Sequence, residues 1–142
     1  MFTIEATTSE VRITSFDLVG KKEGDDECMV YTRVGDYQGH EEHESGWELI
    51  FNEKVEMEKG VPSSLGALDR DVTIPAESTQ AFYIWCTEGV LYTEGNTEGA
   101  PFDSDDSLVI NEGIVTTGLF HQVTGNGQYS GGVRYVLVYN RV

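Results

Sequence analysis

Apolar side chains recur at every second position in short runs along this chain, a periodicity that suits strands and excludes long amphipathic helices. Phe2 and Ile4 open a first run, followed by Val11 and Ile13 and then by Phe16 and Leu18. The change of parity between Ile13 and Phe16 predicts a switch of face within one strand. "CMVYTRV" (28–34) reads as a buried strand rich in β-branched and aromatic residues. "WELIFNEKVEM" (47–57) sets Trp47, Leu49 and Phe51 inward against Glu48 and Asn52. "VTIPAESTQAFYIWCT" (72–87) holds two strand pieces around Pro75, which cannot donate to a ladder. Residues 88–115 supply two further short strands divided by glycine turns. "GGVRYVLVYNRV" (131–142) is the clearest strand, with Val133, Tyr135, Leu137 and Tyr139 on one face.

No segment sustains apolar positions at helical spacing over three turns. The breaks are turn-like: "KKEGDDE" (21–27) is a charged turn, and "GDYQGHEEHESG" (35–46) is a polar loop. "EKGVPSSLGALDRD" (58–71) is a longer connection with room for one helical turn. "GNGQYSGG" (125–132) reads as a hairpin. Eight to ten short strands, with 16 glycines to turn them, predict an all-β antiparallel sandwich of jelly-roll type. With no repeat and no linker, residues 1–142 form one domain.

Nine Lys and Arg stand against 25 Asp and Glu, a formal net charge of −16. Such a surface repels nucleic-acid phosphates and anionic membranes, and suits a solvated protein working among cations. No apolar run is long enough for a membrane helix, and the first residues have the alternation of a strand rather than the layout of a signal peptide. Two settings follow: a protein starting at Met1 in the cytoplasm or an organelle, or a module of a longer extracellular or cell-surface chain. Cys28 and Cys86 each lie in an apolar run. Two buried thiols are the expectation, and a disulfide, which needs an oxidising compartment, is the alternative.

Three features carry candidate chemistry. His40 and His43, with Glu44 and Asp36 nearby, are one residue short of the H-E-x-x-H spacing that places two imidazoles on one helix face. The flanking Gly39 and Gly46 indicate a solvated loop, in which these histidines are candidate binding residues. Asp103, Asp105 and Asp106 offer hard oxygen ligands suited to Ca²⁺, although the EF-hand pattern fails; the other reading is an acidic turn bonded to its own backbone. Tyr37 and Tyr129 fall in glycine-rich loops, where an exposed ring can stack on a sugar or anchor a protein. There is no nucleophile elbow, no flanked catalytic cysteine and no phosphate-cradling loop.

Three segments, "VYTRVGDYQGHEEHESGWELI", "VTIPAESTQAFYI" and "LYTEGNTEGAPFDSDDSLVINEG", resemble in order a β-sandwich module that recurs in large, often surface or secreted, proteins of marine microbes. Its S-T-Q-A-F-Y run, here Ser78 to Tyr83, is the most specific part. Glu77 stands where the module has a glycine, and the C-terminal segment lacks the module's usual ending. The resemblance implies a sandwich that is one module among several, and it brings no catalytic residues. The resulting expectation is a non-catalytic interaction module, binding a glycan or a protein through its loops or helping a surface protein assemble. The alternative is a self-assembling structural subunit, and a hydrolase or metalloenzyme comes third.

Overall fold

A computed structural model describes residues 1–138, and Tyr139 of the predicted terminal strand lies outside them. Nearly all regular structure is β, in antiparallel sheets packed face to face. The six-stranded sheet has β4 (Glu48–Met57), β3 (Gly24–Val34), β7 (Thr79–Cys86), β1 (Phe2–Ala6), β10 (Leu108–Asn111) and β9 (Pro101–Ser104) in that spatial order. A four-stranded sheet is built on β2 (Val11–Val19), with β13 (Gly132–Leu137) on one side. The short β5 (Pro62–Ser64) and β6 (Val72–Ile74) pair with the two ends of β2. A third, small sheet joins β11 (Gly113–Thr116), β12 (Val123–Tyr129) and β8 (Tyr92–Glu94). The thirteen strands among the described residues exceed the expected eight to ten because several are pieces of three or four residues. No helix there is long and apolar enough to cross a membrane.

The main core lies between the larger sheets, where Ile4, Val11, Ile13, Phe16, Leu18, Val30 and Phe82 are fully buried. The predicted switch of face in β2 is a β-bulge. Ser15 pairs with Arg134 and Ile13 with Tyr135, so Thr14 is the extra residue and both halves point their apolar side chains inward. A second bulge corrects the reading of β4. Val30 pairs with Phe51 and Tyr31 with Leu49, which leaves Ile50 unpaired, so Ile50 and Phe51 are both buried while Leu49 is 40% exposed. In the 58–71 connection β5 forms in place of a helical turn; the only helical piece among the described residues is the 3-10 turn Glu44–Gly46.

The six-stranded sheet is buried on its other face too, by loops rather than by strands. The 35–47 segment and the 117–122 turn place Tyr37, Trp47 and Phe120 over Tyr31 and Tyr83. Ring centroids lie 4.9 Å apart for Tyr31–Phe120 and for Tyr83–Phe120, both edge to face, the geometry that the aromatic quadrupole favours.

The two cysteines correct the expectation of free thiols. Cys28 on β3 and Cys86 on β7 are direct cross-strand partners with Cα atoms 4.1 Å apart, and they form a disulfide. Neighbouring bonds identify the site: Thr87 N–H donates to Glu27 O, so the cysteines occupy the adjacent non-hydrogen-bonded position, where facing side chains come closest.

Glu77, where the resemblance expects glycine, has φ of 58°, a left-handed conformation that Cβ disfavours. Its N–H donates to Thr7 O at 2.8 Å, which ties the turn before β7 to the end of β1. Glu77→Gly should therefore raise unfolding free energy by about 1 kcal/mol, measured by urea denaturation. Replacing both Cys28 and Cys86 by Ala should lower it by about 2–4 kcal/mol, and mass spectrometry before and after reduction should show the two-hydrogen difference of one disulfide.

Candidate functional site

The structure commits the loop tyrosines to packing. Tyr37 is 2% exposed, and its hydroxyl donates to Glu98 Oε1 at 2.9 Å. Burial, with Glu98 beside it, raises the Tyr37 phenol well above its ordinary range. The expectation of an exposed Tyr37 ring is thus corrected. Tyr129 lies on β12, not in a loop, and stacks on Phe2 with centroids 4.8 Å apart and planes within 3°. Its hydroxyl donates to Asp17 O at 2.7 Å and to Gly132 O at 2.9 Å, and burial, then Asp17, raises its pKa. The predicted hairpin fails for the same reason: β12 and β13 follow each other but belong to different sheets. At Gly131 between them a Cβ would collide with Asp17 O and the Tyr129 hydroxyl.

His40 and His43 sit in a chain of turns in which His40 N–H bonds Tyr37 O and His43 N–H bonds His40 O. Trp47 Nε1–H donates to His40 O at 2.9 Å, closing the loop on its own aromatic anchor. The His40 ring packs on Gly46, where a Cβ would lie 2.8 Å from Nδ1. His43 is exposed and lines a shallow groove with Glu41, Glu42, Gln122 and Val123.

Asp105 organises the acidic turn. Its Oδ1 accepts from Ser107 N at 2.8 Å and Leu108 N at 2.9 Å, and its Oδ2 accepts from the Tyr135 hydroxyl. Asp103 Oδ1 accepts from Ser104 N at 2.9 Å. Asp103 thus lies on β9 and Asp105 caps an Asx-type turn, and Asp103, Asp105 and Asp106 form no set of ligand atoms within 4.8 Å of one another. Among the described residues, the one set of three His, Cys, Asp or Glu groups with ligand atoms within 4.8 Å of one another is Asp26, Cys28 and Cys86. Two of these are the disulfide, and both Asp26 oxygens accept from Glu88 N, at 3.0 and 3.1 Å.

The concave feature that sequence reading missed is a cleft of about 270 Å³ beside the second half of β7. β7 contributes Tyr83, Ile84 and Trp85 to one wall, and β11 contributes Ile114, Val115 and Thr116 to the other. Met1 and Phe2 close one end, Tyr129 and Gln128 line the side, and Leu91 and Tyr92 reach the mouth. Leu91 is 37% and Tyr92 41% exposed, and Lys21 Nζ lies 5.5 Å from the Tyr92 ring centre. Burial raises the Tyr83 phenol; its hydroxyl lies 2.7 Å from Thr116 Oγ1 and accepts from Phe120 N at 3.2 Å. Burial also draws the Met1 amine down to about 5, and its N–H donates to Ile114 O at 2.9 Å. The cleft thus combines aromatic and aliphatic walls with polar side chains, among them Lys21, Thr87, Glu88 and Gln128, the mixed make-up of a binding site. No sequence signal marks it, because its residues come from five separate segments and each strand alternates as a core strand does.

No family model matches the chain, no curated protein matches it, and no solved structure matches it.

The Asp105 turn yields a pH prediction. Desolvation pushes its carboxyl up, but the bonds from Tyr135, Ser107 and Leu108 together hold it below its ordinary 3.8. A depressed carboxyl contributes stability that is present above the ordinary value and lost as pH falls through the folded one. Tyr135→Phe removes one of these donors. The stability gap between wild type and variant, read by urea unfolding, should be full at neutral pH and close as pH drops below 3.8.

Proposed function

We propose that this chain is a non-catalytic interaction module and that the cleft between β7 and β11 is its binding face. The observation that carries this reading is the chemistry of the hollow: aromatic and aliphatic walls, interspersed polar side chains, and apolar side chains exposed at its mouth. Several of its polar residues already serve the fold: Tyr83 joins Thr116, Gln128 Nε2 donates to Glu112 Oε1 at 3.3 Å, and Glu88 pairs with Lys22 at 2.9 Å. A scaffold of that kind binds by shape and apolar contact.

The disulfide supports a setting in an oxidising compartment, as expected of a surface or secreted protein. The net charge of −16 supports a partner that is neutral or basic rather than a polyanion. The turns that hold His40, His43 and Asp105 frame the module.

The test is binding of the chain to peptide and glycan arrays, in parallel with Leu91→Arg and Tyr92→Arg variants. Both residues lie at the mouth, so an added cation should weaken capture about tenfold without changing the melting temperature. Capture unaffected by both substitutions places the binding face elsewhere. Release of reducing sugar from a polysaccharide by the isolated domain would overturn the non-catalytic reading.

A further inference from the structure

The cleft lies in line with β1, between β7 and β11. β1 runs between β7 and β10, antiparallel to both. Phe2 pairs with Phe82 and Ile4 with Gln80, while Ala6 N–H donates to Ser78 O, so the even-numbered residues of β7 direct their backbone groups toward β1. The odd-numbered residues face β3, as Thr87 N–H to Glu27 O and Gly35 N–H to Thr79 O show. β1 pairs with β7 as far as Phe82, and β7 continues through Ile84 and Cys86. By this alternation the Ile84 N–H and C=O and the Cys86 N–H point into the cleft. The Cys86 carbonyl is taken by Gly89 N–H at 2.9 Å.

The opposite wall repeats the arrangement. Ile114 exchanges backbone bonds with Met1 in both directions, each 2.9 Å, so its N–H and C=O face away from β12. Thr117 N–H donates to Gln122 O, so the intervening Thr116 directs its own backbone pair to the Ile114 side, into the cleft. Neither the Ile84 nor the Thr116 backbone pair has a hydrogen-bond partner among the described residues. Two strand edges thus face each other across the hollow with free donors and acceptors in ladder orientation. Above and below lie apolar surfaces, with Phe2 and Tyr129 on the main-core side and Tyr83 and Trp85 on the other.

We infer that the cleft takes an extended segment of a partner polypeptide, which enters as an added strand between β7 and β11, antiparallel to both and in line with β1. This rests on the binding-module reading and names the class of its ligand. A strand meets unpaired N–H and C=O groups on both edges, a need that a sugar ring or a flat aromatic molecule does not meet in register. Side chains of the segment point alternately to two apolar surfaces, so both faces of it are uncharged. The −16 charge of the chain disfavours an acidic one.

The experiment uses acetylated, amidated pentapeptides composed of Val, Thr, Ile and Phe, arrayed against the whole chain. The tightest binder is then made in a plain form and in a form N-methylated at alternate amides. With the plain peptide, hydrogen exchange at Ile84, Cys86 and Thr116 should slow about tenfold or more, and the methylated twin should bind about tenfold or more weakly. Ile84→Pro, which removes a cleft-facing N–H and no bond to β3, should lose binding as well; the methylated peptide decides the matter if this variant fails to fold. Equal binding of the two peptides overturns strand addition but leaves the cleft a binding face. Failure of every pentapeptide to bind also overturns it, and the glycan array then tests the module reading by itself.

Discussion

Strand β7 must be covered on both faces, and most of the molecule follows from that. Gln80, Ala81, Phe82 and Tyr83 are consecutive and all at most 4% exposed, so over these four residues neither face of the strand meets water. Its polar members are satisfied inside: Gln80 Nε2 donates to Thr32 Oγ1, which donates to Ala81 O, both at 2.8 Å. A strand buried on two sides requires three layers. Here the sheet built on β2 supplies one cover, and the 35–47 and 117–122 loops supply the other with Tyr37, Trp47 and Phe120. Phe120 takes a left-handed backbone, φ 55°, to present its ring, a local cost offset by contact with three aromatic rings.

Loops used as a core layer lose the freedom that loops usually keep for recognition. Tyr37 is held by the distant Glu98, His40 by the backbone bonds of its turns and Asp105 by the turn it caps, while the concave surface forms between β7 and β11. The proposed recognition therefore falls to backbone edges and apolar walls. The acidic exterior, with ion pairs such as Arg70–Glu48 and Arg134–Asp17 on partly exposed side chains, keeps the particle solvated and adds little to its stability.

Legibility varied with how much the side chains differ. The bulge in β2 was readable because polar Thr14 and Ser15 interrupt the apolar parity between Ile13 and Phe16. The bulge in β4 was not, because Leu49, Ile50 and Phe51 are all apolar and any of them suits the core. The positive φ of Glu77, a conformation that glycine adopts without strain, is a backbone feature that no local side-chain pattern marks. The cysteines were readable as buried but not as paired, since 58 residues separate them and only the β3–β7 register sets them opposite each other. The acidic turn is legible in the sequence, because Asp and Ser bond their own backbone within a few residues, a local property.

What the chain's order of residues decides by itself is the inventory: strands rather than helices, the approximate places of the turns, and the faces that seek a core. These follow from local rules, the two-residue period of a strand and the φ preference of each residue. Tertiary structure alone decides which strand lies beside which, the register between them, and therefore the disulfide and the cleft. The physical reason is that strands are joined through backbone N–H and C=O groups, which are nearly the same in every residue. Partner choice and the position of an unfilled edge are settled by the packing of the whole chain.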